Sequence, residues 1–254
     1  DSITYEAAEQ LYMKGDNKNA SRNFDEYLKK FPQGRFSLNA NFYKAESDYK
    51  AKEYDKALAG YQFVTEQPRN IFTEKSLLKA GFIQYDKANY DEALKHFDRL
   101  EEIADFRDNI IEAQAGQMRS HYKKGEFEST ITNARKLIDG DKVSNELRNE
   151  AWLLQGRSSM ALNDLKAAGD AFTVVAKIPN SESGAEAKYS LALIQFKLGN
   201  YKDSQKKCFD MIKQIPSYEF WIGKSFILLG DNYAGLNDLF QAKHTYRSVI
   251  DNYE

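Results

Sequence analysis

The chain has 254 residues, 42% of them hydrophobic and 29% charged, with a formal net charge of −2. That is enough apolar side chain for a buried core, and the near-neutral balance gives no global attraction to nucleic acid or to an anionic membrane. One cysteine, Cys208, excludes an internal disulfide and a multi-cysteine metal site, and no apolar run approaches the roughly 18 residues of a membrane-spanning helix.

In chain order the sequence reads as seven units, starting at residues 1, 38, 74, 111, 149, 185 and 223, a spacing of 36 to 38 by subtraction. Each unit predicts two helices joined by a tight turn. Unit one runs through Ala8 and Tyr12, a turn at Gly15, then Ala20, Phe24 and a closing Pro32. Unit two repeats this with Ala45, Tyr49, Ala57, Tyr61 and Pro68, and unit three with Gly81, Tyr85, Ala93 and Phe97. Unit four carries Met118, Tyr122, Gly125, Thr130 and Ala134, the weakest match of the seven. Units five to seven continue with Gly156, Ala168, Phe172 and Pro179; Ala192, Phe196, Ser204, Cys208 and Pro216; and Gly230, Ala242 and Tyr246. No alternating strand pattern competes with the helical periodicity.

The columns have physical reasons. The eighth position is small in six of the seven units and the twentieth in all of them. Small residues at both sites let the two helices of a unit cross closely, and a larger one overpacks the crossing by roughly 1–3 kcal/mol. The twenty-fourth column is mostly bulky and fills the space beside that crossing. The fifteenth position holds Gly15, Gly125, Gly199, Asn163 and Asn237, residue types that tolerate positive φ, while Lys52 and Ala88 depart from that chemistry. All four prolines fall at unit ends, where a helix must stop. Cys208 lies on an apolar helix face and reads as a small buried hydrophobe.

These columns, with Trp152-Leu153-Leu154-Gln155-Gly156 and Phe226-Ile227-Leu228-Leu229-Gly230 as opening motifs, resemble the tetratricopeptide repeat. The resemblance covers the whole chain. It implies an all-α fold, a right-handed α-α superhelix of about seven helix-turn-helix repeats, as a single array over residues 1–254. The spacing exceeds the usual repeat length, and the extra residues are expected between units, as in Pro32-Gln33-Gly34-Arg35-Phe36 and Pro179-Asn180-Ser181-Glu182-Ser183. Those linkers resemble bacterial cell-envelope members of the family, the TolA-binding coordinator and the lipoprotein of the outer-membrane barrel-assembly machine. The implied location is the bacterial periplasm or the outer-membrane surface, with the cytoplasm as the alternative. Asp1 is not a start methionine, so the sequence is expected to be a processed form, and no residues remain for capping helices, so it is expected to be part of a longer array or to pack its ends on another molecule.

In this family the first helix of each unit lines a concave surface, with ligand contacts at its positions 2, 5, 9, 12 and 13. Carried onto this sequence, the twelfth column gives an aromatic ladder of Tyr12, Tyr49, Tyr85, Tyr122 and Phe196, suited to an extended peptide or a partner helix. The same rings also suit packing between neighbouring helices. The ninth column adds Arg119 and Arg157 as a paired reader of an acidic group, with plain surface charge as the competing reading. Tyr5, Glu9, Phe42 and Glu46 stand where chaperone-tail binders carry their basic clamp, so that subtype is disfavoured. The expected function is non-enzymatic: a scaffold for a partner protein or peptide. The alternative is a structural spacer or self-associating subunit working through its ends.

Nothing in the sequence predicts catalysis or a cofactor. His96, His121 and His244 fall in three different units without metal-ligand spacing, and no phosphate loop or nucleophile elbow is present. Arg107, Arg119, Lys123, Lys124, Arg135 and Lys136 enrich the middle of the chain in positive charge, but acids interleave and no nucleic-acid stripe forms. Glu101 and Glu102 read as a solvated helix face.

Overall fold

The computed structural model describes residues 1–252 and contains fourteen helices and no strand among them. The helices are α1 (Ser2–Met13), α2 (Asn17–Lys30), α3 (Ser37–Lys50), α4 (Tyr54–Glu66), α5 (Thr73–Asp86), α6 (Tyr90–Ile103), α7 (Arg107–Lys124), α8 (Phe127–Asp139), α9 (Asn145–Ala161), α10 (Leu165–Val175), α11 (Glu182–Lys197), α12 (Tyr201–Ile212), α13 (Glu219–Gly235) and α14 (Leu239–Asn252). Six hairpins pair α1 with α2, α3 with α4, α5 with α6, α9 with α10, α11 with α12 and α13 with α14. The helices group into two compact units, each larger than a repeat and called from here on unit one (Asp1–Gly125, α1 to α7) and unit two (Glu126–Glu254, α8 to α14). The boundary falls in the turn of the fourth repeat, which contributes one helix to each unit.

The turns that follow all seven first helices have one local backbone geometry. Gly15, Gly125 and Gly199 have φ near +77°, at 79°, 75° and 77°, and Asn163 and Asn237 stand at 58° and 61°. Lys52 and Ala88 adopt the same left-handed conformation, at 63° and 59°, despite their side chains. Backbone bonds hold them there. The Lys52 amide donates to the Tyr49 carbonyl at 3.0 Å and the Glu53 amide to Asp48 at 2.8 Å; Ala88 and Asn89 repeat the pair on Tyr85 and Gln84. This closes the last carbonyls of each first helix in a Schellman-type cap.

Helix crossings follow the columns. A Cβ built on Gly81 would lie 2.5 Å from the Phe97 ring, one on Gly156 2.8 Å from Phe172, and one on Gly230 2.3 Å from Tyr246. The eighth position must therefore be small where the twenty-fourth is aromatic. In the fourth repeat Met118 holds the eighth position and Ala134 the twenty-fourth, each fully buried.

Three pairs of consecutive repeats are joined by aromatic contacts. Tyr5 stacks on Phe36 at 4.5 Å, Phe42 on Phe72 at 4.2 Å, and Tyr189 tilts against Trp221 at 5.6 Å. Each pairs the fifth position of one repeat with the residue two before the next repeat's start. Ion pairs at the turns add to this in unit one, Lys87 with Asp55 and Lys124 with Asp91.

The expectation that extra residues lengthen the linkers is corrected in the later repeats. There they extend the first helices instead: α7, α9, α11 and α13 run 18, 17, 16 and 17 residues against 12 for α1. Local capping explains two of these. The Ser144 hydroxyl accepts from the Leu147 amide at 3.2 Å and the Ser181 hydroxyl from the Gly184 amide at 2.9 Å, starting α9 and α11 several residues early.

Candidate functional site

The twelfth-column aromatics are half-buried, and most have a visible intramolecular partner. Tyr49 packs edge-on to Tyr54 at 5.3 Å, Tyr85 to Tyr90 at 5.5 Å and Phe196 against Tyr201 at 5.5 Å. In each pair the partner is the residue that opens the second helix, so the two rings clasp the hairpin turn. Tyr12 instead meets Tyr43 at 5.0 Å, with the Lys50 ammonium 4.3 Å over its ring. Tyr122 stands near the end of α7, also half-buried.

Three of the expected residues come together. Tyr49, Tyr85 and Arg119 line a cavity of about 240 Å³ in unit one, with Phe82, Asp86, Phe97 and Gly116. The walls come mainly from the first helices α3, α5 and α7. Burial raises the Tyr49 phenol above its ordinary pKa. Beside it the Lys79 ammonium lies 4.0 Å over the Tyr49 ring, and loss of solvent lowers its pKa. A larger cleft, about 460 Å³, lies among α2, α3 and α4. It is lined by charged side chains such as Lys44 and Asp48, which pair with each other at 3.0 Å, and by no aromatic.

Arg157 belongs to unit two. Its guanidinium donates twice to Glu186, at 2.6 Å from both Nε and Nη2, a two-pronged pair within the chain. A partner's acid would have to compete with that carboxylate. Unit two carries its own aromatic cluster, where the Lys224 ammonium sits 5.0 Å over Tyr189, 5.4 Å over Trp221 and 5.5 Å over Phe220.

Two acids read as ligand-facing or solvated are internal. Glu46 is 4% exposed and accepts from the Tyr61 hydroxyl at 2.6 Å, with Lys75 at 2.7 Å. Glu101 is half-buried and accepts from Gln114 at 3.0 Å and Gln117 at 2.9 Å. Cys208 is fully buried, and burial pushes its thiol up to about 12. No described helix is long and apolar enough to cross a membrane.

Helical hairpins with small residues at their crossings, and one turn geometry after every first helix, define an α-helical repeat fold among the described residues. Residues 220–254 match the family model described as Tetratricopeptide repeat. The chain is similar to the crystal structure of MamA protein, at 17% identity over 71% of this chain and 91% of that one, with a TM-score of 0.59. It is similar over its whole length to a tetratricopeptide repeat protein from Parabacteroides merdae, at 11% identity, 93% of that chain and a TM-score of 0.56. Likeness to the structure of Naa15/Naa10 bound to HypK-THB covers 99% of this chain but 37% of that one, at 14% identity and a TM-score of 0.56. The chain thus has a tetratricopeptide-repeat fold and matches that family in sequence over its last repeat. No curated protein matches the sequence.

Proposed function

We propose that the chain is a non-catalytic scaffold that binds a partner protein or peptide on the first-helix side of unit one. The observation that carries this reading is the cavity walled by Tyr49, Phe82, Tyr85 and Arg119. Aromatic walls supply large rigid contact area, and an arginine among them supplies direction, a combination typical of residues that dominate binding energy. That one structure of the same fold is described as a complex, Naa15/Naa10 bound to HypK-THB, agrees with a binding role. The proposed compartment is the bacterial envelope, on the character of the linkers, with the cytoplasm as the alternative.

Affinity capture from envelope and soluble extracts tests both parts. The bait is the wild-type chain beside a Tyr49→Ala/Tyr85→Ala/Tyr122→Ala variant whose helicity is checked by circular dichroism. A partner held by wild type and lost by the helical variant supports the site, and the fraction that yields it decides the compartment. A partner held equally by both, or self-association alone, overturns it.

A further inference from the structure

In six junctions, from α2 with α3 to α12 with α13, the second helix of one repeat packs on the first helix of the next. The contacts recur at fixed positions. The twenty-first meets the eleventh, where the Ser21 hydroxyl donates to Asp48. The twenty-fifth meets the seventh, where Gln117 donates to Asp98 at 2.8 Å. The twenty-eighth meets the fourth and seventh, where Gln114 and Gln117 donate to Glu101 at 3.0 Å and 2.9 Å. The twenty-fourth meets the sixth, where Phe24 and Tyr43 stack at 6.2 Å. Lys18 lines one cleft with Ser21, Asp25, Lys44 and Asp48, so the eighteenth position edges the same seam. On α14 these positions hold Phe240, Lys243, Tyr246, Arg247 and Ile250, and the seam is open. Phe240 is 79% exposed, Ile250 71% and Leu239 beside them 66%. A groove of about 420 Å³ runs there, lined by Ala242, Lys243, Tyr246, Arg247 and Ile250 among others.

From this we infer that α14 binds a helix of a partner protein, laid on it as α3 lies on α2, with two acids four residues apart at its seventh and eleventh positions. Those acids face Arg247 and Lys243, and apolar side chains at the fourth and sixth positions cover Ile250 and Tyr246. Residues four apart share one helix face, so a single helix can meet both cations. The last repeat departs from the others where this seam runs. The eighteenth position is charged in the other six repeats and phenylalanine only here; the twenty-first is uncharged in the other six and lysine only here. Neither Lys243 nor Arg247 is in an ion pair among the described residues. Exposed apolar side chains around a pair of cations fit an amphipathic acidic helix. The chain's own α1 does not fit. The third position of every covered first helix is a fully buried Ala or Ser, namely Ala40, Ser76, Ala113, Ala151, Ala187 and Ser225, whereas α1 has Ile3 there. It also puts Glu6 in the apolar sixth place, and Ala7 and Leu11 in the two acid places. Neither the residues of this surface nor its test involve the cavity of unit one.

The test is an amide-shift titration of the whole chain with two peptides, each cross-linked to hold its helix. One copies α3, Ser37–Lys50, with Ala40 third, Tyr43 sixth, Lys44 seventh and Asp48 eleventh. The other carries Lys44→Glu and so has both acids. Saturable shifts are expected at Ala242, Lys243 and Ile250. The Lys44→Glu peptide should bind about fivefold more tightly than the unchanged one. Arg247→Glu in the protein should reverse that order, and Arg247→Gln should abolish the preference. Arg247 is exposed, so both variants keep the fold. No saturable shift, shifts centred outside α13 and α14, equal affinity for the two peptides, or an order unchanged by Arg247→Glu would each overturn the inference. So would self-association of the wild-type chain that Arg247→Glu removes, which would give this face to a second copy.

Discussion

The Tyr61 hydroxyl donates to a Glu46 oxygen at 2.6 Å, and both side chains are buried. Tyr246 and Asp231 make the same bond in the last repeat. Twenty-fourth-position tyrosine meets ninth-position acid in both cases. At Phe97 the ninth-position neighbour is instead Phe82, 6.1 Å away. A tyrosine in the twenty-fourth column is thus matched by an acid in the ninth across the helix crossing, whereas the phenylalanines Phe24 and Phe172 share their repeats with Glu9 and Arg157.

Removing the Tyr61 hydroxyl leaves the buried Glu46 carboxylate short of a donor. Tyr61→Phe is expected to destabilise the fold by about 1–3 kcal/mol. Tyr246→Phe should lose less, because that ring is half-buried and water can replace the bond. Urea unfolding midpoints of the two variants check the order, and a neutral Tyr61→Phe contradicts it.

The turns at Lys52 and Ala88 hold side-chain-bearing residues in the left-handed region. Lys52→Gly and Ala88→Gly are each expected to stabilise by roughly 1 kcal/mol, while Gly125→Ala should destabilise by a similar amount. Thermal midpoints decide it; a loss of stability in both glycine variants would show that the turn is held by side-chain contacts instead.

Gly81→Ala drives a methyl into the Phe97 ring and should lower stability by about 1–3 kcal/mol. Adding Phe97→Leu should recover part of that loss, because the ring is the obstacle. Additive effects in the double variant would place the strain elsewhere.

Burial lowers the pKa of His96 below its ordinary 6.5. The folded chain then binds a proton less readily than the unfolded chain. Stability from this group is complete above 6.5 and declines as pH falls through that value toward the lowered one. Unfolding midpoints followed from about pH 7 to pH 5 should fall more steeply for the wild type than for His96→Gln. Identical slopes would contradict the assignment.

Much of the fold was legible because each repeat must solve one packing problem. Ala20, Ala57 and Ala93 are fully buried at their crossings, and Pro32, Pro68, Pro179 and Pro216 all lie between hairpins. The turn geometry extends to Lys52 and Ala88 because backbone bonds impose it, which side-chain chemistry alone does not announce. Helix starts at α9 and α11 were missed because single serine caps set them. Glu46 was placed on the ligand face because nothing local to it signals Tyr61, fifteen residues away. Gly116 escaped notice for a different reason: its lack of a side chain is required by the Phe97 ring, 2.5 Å from where a Cβ would stand, and that ring is nineteen residues away in sequence.

The central claim is that a partner engages the first-helix side of unit one at this cavity. The most direct measurement is the affinity of a captured partner, by titration calorimetry, for the wild type, for Tyr85→Ala and for Lys95→Ala, whose side chain is exposed on the second helix α6. The account predicts at least about a tenfold loss for Tyr85→Ala, about 1.4 kcal/mol, and no change for Lys95→Ala. Unchanged affinity in Tyr85→Ala, or a comparable loss in Lys95→Ala, would contradict it.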